Sequence, residues 1–142
     1  MSNKIYISWE DFHAQVKKLA AKIKEKGEFN RIIAISRGGL IPAGILAYEL
    51  DIRDCDVINM SSYDGEIKRQ DNAIEIKGLL ANVDEKSLIV DDLSDSGRTL
   101  NLLHKEYPKA VRVCVYAKPQ GQTSCEIFAQ ELPEHWVVFP WD

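Results

Sequence analysis

Two adjacent carboxylates, Asp91 and Asp92, follow the short apolar run Leu88–Val90, and a third, Asp95, stands just beyond them. Ser96 and Thr99 add hydroxyls around Gly97, with Leu93, Ser94 and Arg98 completing the stretch. The apolar run between polar residues predicts a short buried strand that ends at the acids. Ser94 to Gly97 supplies turn residues, and the spacing from Thr99 to Tyr107 predicts a helix. A strand, a glycine loop and a helix N-terminus together bind anions, because unpaired N–H groups and the helix dipole favour phosphate. Acids beside such a cradle make sense if the ligand also carries sugar hydroxyls or a divalent cation. A phosphorylated ribose with magnesium meets both demands. The Gly-Lys-Ser/Thr ending of a P-loop is absent.

A second loop has the same grammar. Arg31–Ser36 is a continuous apolar run of strand length, Ser36-Arg37-Gly38-Gly39 follows, and a helix is predicted from Leu40 through Leu50. Backbone N–H groups of this loop would hold a second anion, with Arg37 supplying charge. In parallel α/β sheets ligands gather at the carboxyl ends of the strands, so both loops are expected on one side.

The elements that must position these loops are those of an α/β fold with a mainly parallel sheet flanked by helices. Ser8 is the expected N-cap of a first helix whose apolar face is Phe12, Val16, Leu19 and Ile23, stopped by Gly27. Lysines cover its other face and are interrupted by Glu25 and Glu28, which reads as a solvated surface. Cys55–Ser61 is the next predicted strand, the irregular polar stretch 62–72 reads either as a flexible lid or as a hairpin tip, and residues 73–80 return as a strand. Val111–Ala117 is the last clear parallel strand, and the tail 133–142 carries two of the three tryptophans.

With 142 residues, the chain is expected to be one domain with a real core. Its net charge of −4 argues against a sequence-independent nucleic-acid binder. No apolar run approaches a membrane span, and Met-Ser-Asn-Lys lacks a signal-peptide core, so a cytoplasmic location is expected. The cysteines show no metal-binding pairing, and Cys55 and Cys114, both in strand-like contexts, are expected as buried thiols. The three histidines lack metal-ligand spacing.

The stretch Leu88–Thr99 resembles the phosphoribosyl-pyrophosphate (PRPP) signature of type I phosphoribosyltransferases: apolar strand, two acids, two residues, Asp, Ser/Thr, Gly, any residue, Thr. With Ser8-Trp9, Ser36–Leu40, Ser61–Asp64, Tyr107–Ala110, Ala117-Lys118-Pro119 and Pro140-Trp141-Asp142, the whole chain is similar to the small bacterial xanthine-guanine enzymes of the purine branch. Ser94 and Ser96 replace an apolar residue and a Thr usual in the signature, and the resembled enzymes continue for a short segment past the position of Asp142.

The resemblance implies transfer of ribose 5-phosphate from PRPP to N9 of a 6-oxopurine, with release of pyrophosphate, by a magnesium-dependent enzyme expected as a dimer or tetramer. It assigns Ser36, Arg37, Gly38 and Gly39 to pyrophosphate and Arg69, on the lid, to nucleotide. Asp91 and Asp92 would hold ribose hydroxyls and magnesium, with Asp92 the preferred metal residue. The 5-phosphate would lie in the loop from Leu93 and Ser94 to Thr99, wrapped by residues 95–99. Asp95 would face N7 of the base, Lys118 its 6-oxo group, Trp136 would stack on it, and Val137 would contact it through backbone, which makes the tail 133–142 a small base-recognition segment. Transferases specific for hypoxanthine or for a pyrimidine, and a non-catalytic nucleotide-binding regulator, remain as alternatives.

Overall fold

The computed structural model describes residues 3–62 and 74–142. The strand order β4-β3-β2-β5-β6-β7 builds a six-stranded sheet from β2 (Arg31–Ser36), β3 (Asp54–Ser62), β4 (Ile74–Lys77), β5 (Ser87–Ser94), β6 (Val111–Ala117) and β7 (Ile127–Glu131). All pairings are parallel except β3 with β4, as expected of helical crossovers closed at one edge by a hairpin. A second, two-stranded parallel sheet joins β1 (Lys4–Tyr6) to β8 (Trp136–Val138).

Side chains alternate across the large sheet. Ile32, Ala34, Leu88, Val90, Val113 and Val115 meet the helices α1 (Trp9–Lys26) and α2 (Leu40–Glu49) on one face. Ile33, Ile35, Ile89 and Cys114 meet α3 (Arg98–Glu106) on the other. The α1 stripe is buried as its spacing predicts, and Asp11 N–H donates to Ser8 Oγ at 3.0 Å to cap the helix.

Two expectations are corrected. The central strand does not stop at the acids: β5 runs to Ser94, because β6 pairs Asp91 with Cys114, Leu93 with Tyr116 and Ser94 with Ala117. Ladder pairing along a long neighbour outweighs the end of the apolar run. Cys55 is exposed rather than buried. α2 packs over β2 and β5, and Val57, two residues along β3, is 44% exposed on the same uncovered face. Cys114 is buried as expected.

Candidate active site

β2 and β5 lie side by side and parallel, so the loops that follow them open on the same edge. The loop after β2 touches β5. A Cβ on Gly38 would lie 2.7 Å from Asp92 Oδ1, so glycine lets the backbone pass against that carboxylate. The Ser36–Arg37 peptide is cis, and the Arg37 side chain is exposed. Gly39 is buried, and a Cβ there would run into the Val90 carbonyl oxygen.

Beyond β5, Gly97 takes the left-handed conformation at φ 86° and starts α3 without a side-chain cap. The first helical bond is Asn101 N–H to Gly97 O at 2.8 Å. The first-turn amides have no carbonyl inside the helix. Ser96 Oγ accepts from Arg98 N–H at 3.4 Å. A cavity of about 90 Å³ lies against this turn, lined by Asp91, Leu93, Asp95, Ser96, Gly97 and Thr99 among others. It has room for a small anion and supplies amide and hydroxyl donors, the chemistry of a phosphate cradle.

Asp91 and Asp92 sit together, with Asp92 N–H donating to Asp91 Oδ1 at 2.9 Å. Burial, the negative charge of Asp92 and its side-chain hydrogen bond push the Asp91 carboxyl well above the usual carboxylate range. Burial also raises Asp92, with a smaller push from the charge of Asp142 at the end of the tail. Neighbouring acids held in this way favour a positive charge between them, and their oxygens suit a hard divalent cation. No group of three or more His, Cys, Asp or Glu side chains that could hold a metal ion occurs among the described residues. A cation would therefore complete its shell with ligand oxygens and water.

Lys118 follows β6 and is only 5% exposed. Its backbone N–H donates to Ser94 O at 3.0 Å, and Ser94 Oγ donates to Gly121 O at 2.7 Å. These bonds tie Lys118 and the 3-10 helix Pro119–Ser124 to the end of β5. Lys118 Nζ lies 3.3 Å from Asp95 Oδ2 and 3.8 Å from Glu134 Oε1. The tail returns through β8, where the Trp136 ring is 65% exposed while Val137 is buried. Its end is anchored by aromatic packing: Phe139 stacks on Trp141 at 4.7 Å, and Phe12 of α1 meets Trp141 edge-on at 4.9 Å. Phe139 N–H donates to Asp142 Oδ2 at 2.9 Å.

The phosphoribosyl transferase domain family matches residues 3–142. This chain belongs to the phosphoribosyltransferase family. A xanthine-guanine phosphoribosyltransferase of Idiomarina loihiensis is 41% identical over 99% of this chain and 88% of its own length. One from Desulfotalea psychrophila is 43% identical over 96% of this chain and 84% of its own. Among solved structures, a purine phosphoribosyltransferase of Pyrococcus horikoshii superposes with a TM-score of 0.82 at 31% identity, covering 98% of this chain and 93% of the other.

Against that family background, the fold brings together Ser36 to Gly39, Asp91, Asp92 and the loop from Leu93 to Thr99 on one sheet edge, and it ties Lys118 to that edge. Arg69 and most of the expected lid lie outside the described residues. The sequence does not single out Gly121, and it marks Glu134 and Asp142 only as part of the tail 133–142. Gly121 is pressed against Ser94, Asp142 acts electrostatically on Asp92, and Glu134 sits beside Lys118. Their spacing carries no signal, since each reaches the site only through the path of the chain after β6.

Proposed function

We propose that this phosphoribosyltransferase moves ribose 5-phosphate from PRPP to N9 of a 6-oxopurine such as guanine or xanthine, releasing pyrophosphate. The observation that carries the reading is the pairing of a phosphate cradle at 93–99 with a buried lysine beside it, Lys118, whose ammonium faces Asp95. The names of the curated relatives support the same substrate class.

In this reading the first turn of α3, with Ser96 and Thr99, binds the 5-phosphate, and Ser36 to Gly39 bind pyrophosphate. Asp91 and Asp92 orient the ribose hydroxyls. Asp92, whose carboxylate lies against Gly38, would hold magnesium. The cation, when bound, neutralises charge gathering on the leaving pyrophosphate. Arg37 adds to that neutralisation from the protein side. Asp95 holds the proton at N7 as the base becomes nucleophilic. Lys118 donates to the 6-oxo group, Val137 contacts the base through its backbone, and the exposed ring of Trp136 offers a stacking face. Arg69 is assigned to nucleotide binding.

We place the protein in the cytoplasm on its three free thiols. No helix among the described residues is long and apolar enough to cross a membrane. A homo-oligomer, a dimer or tetramer, is the assembly the resemblance implies, and exposed Leu40, Tyr48 and Val57 are apolar positions that a second copy could cover.

Base selectivity tests the assignment. An ammonium donates hydrogen bonds and accepts none, so a carbonyl at position 6 pairs with Lys118 and an amino group does not. Pyrophosphate release with guanine, xanthine, hypoxanthine, adenine and uracil in parallel should show the 6-oxopurines preferred. Adenine should fall on the order of 10⁴ lower in kcat/KM. Equal efficiency with adenine, or preference for uracil, would overturn it.

A further inference from the structure

Glu134 is half-exposed, yet both of its carboxylate oxygens are engaged. Oε1 lies 3.8 Å from Lys118 Nζ, and Oε2 accepts a hydrogen bond from Gln120 Nε2 at 2.8 Å. Gln120 lies in the 3-10 helix that directly follows Lys118, and Glu134 stands two residues before Trp136. The carboxylate thus bridges the end of β6 to the tail that carries the aromatic face. Lys118 is 5% exposed, and an ammonium so enclosed is costly unless it is paired.

The other partner of Lys118 is Asp95, at 3.3 Å. That contact conflicts with the role assigned to Asp95. A carboxylate that turns to the N7 proton of a purine gives up part of its bond to the lysine. Without a second carboxylate, base binding would leave the buried ammonium with one neutral carbonyl in place of a charged partner.

We propose that Glu134 is a positioning residue for base recognition. It holds Lys118 as a second counter-charge, so that Asp95 can leave the lysine for the base. This rests on the reading of Asp95 and Lys118 as purine-facing residues. Glu134 touches neither the reacting atoms nor the ribose. It acts through Lys118, and Gln120 fixes its orientation. Its effect should therefore appear in the use of the base and depend on the lysine.

The experiment is a double-mutant cycle on binding of guanosine 5′-monophosphate, measured by calorimetry, together with steady-state kinetics. Glu134→Gln keeps the shape and removes the charge. In the Lys118 background it should weaken nucleotide binding and raise the KM for guanine by about fivefold, leaving the KM for PRPP within about twofold. In a Lys118→Met background the same change should cost less than about twofold, because the group it serves is gone. Gln120→Ala should give a smaller effect in the same parameters. A carboxylate that merely braces the tail would cost the same in both backgrounds and move both Michaelis constants.

Equal losses in the two backgrounds, or no loss in Glu134→Gln, would overturn the positioning role while leaving an active transferase. A wild-type protein that releases no pyrophosphate with any 6-oxopurine would instead overturn the functional reading, and this one with it.

Discussion

Asp95 and Lys118 lie 3.3 Å apart beside the cavity at the start of α3, a contact that the sequence shows only as two residues on different segments. Asp95 is exposed and lies on a loop, so its replacement should leave the fold intact. Asp95→Ala should lower kcat by on the order of 10²–10⁴, the range for a lost acid–base group, with the melting temperature little changed. Near-normal turnover in the folded variant would remove Asp95 from the chemistry. At this scale the sequence was informative where a residue type had little else to do. Two adjacent acids after an apolar run, with a third beyond, mark a ligand site by themselves. Lys118 and Trp136 did not. A lysine and a tryptophan in isolation read as surface and core, and here the lysine is buried and the tryptophan exposed. Only the resemblance pointed to them. Glu134 is marked only as part of the tail that the resemblance assigns to base recognition.

At the scale of elements, consecutive glycines in one loop have different duties. The missing Cβ of Gly38 faces a side chain, the Asp92 carboxylate, whereas that of Gly39 faces the Val90 backbone carbonyl inside the sheet. A side chain can move aside and a strand cannot. Gly38→Ala should thus fold with a near-normal melting temperature but raise the KM for PRPP by roughly tenfold or more by displacing Asp92. Gly39→Ala should lose about 1–3 kcal/mol of stability, the usual cost of overpacking, measured by denaturant unfolding. The reverse pattern would mean that the loop after β2 does not meet β5 as described. The strands and helices through β6 were legible because their apolar runs are either continuous or spaced at helical period. The extension of β5 to Ser94 was not, since its last residues are polar and are held by pairing with β6. The sheet of β1 and β8 was also hidden: each strand has three residues, and they come from opposite ends of the chain.

Over the whole molecule, both acids of the central strand are raised by burial, with like charge adding to the shift, so the fold holds protons on this pair. The stabilising contribution is present below the unfolded carboxylate value of about 3.9 and is lost as pH rises through the raised folded values. A divalent cation competes with those protons for the carboxylates, so its hold on the pair should strengthen as pH rises. Magnesium is expected to raise Tm at pH 7 more than at pH 4, and Asp92→Asn should abolish the shift. A magnesium response unchanged in Asp92→Asn would place the cation elsewhere. Turnover should stop with a chelator and return with magnesium.

The most direct test of the central claim is to follow PRPP and guanine in the presence of magnesium and this protein by phosphorus NMR, with proton NMR of the sugar and base to identify the nucleotide and its linkage. The account predicts that the diphosphate signals of PRPP give way, one for one, to free pyrophosphate and the monoester of guanosine 5′-monophosphate with an N9 linkage. Unchanged PRPP, or its hydrolysis to ribose 5-phosphate with no nucleotide formed, would contradict it.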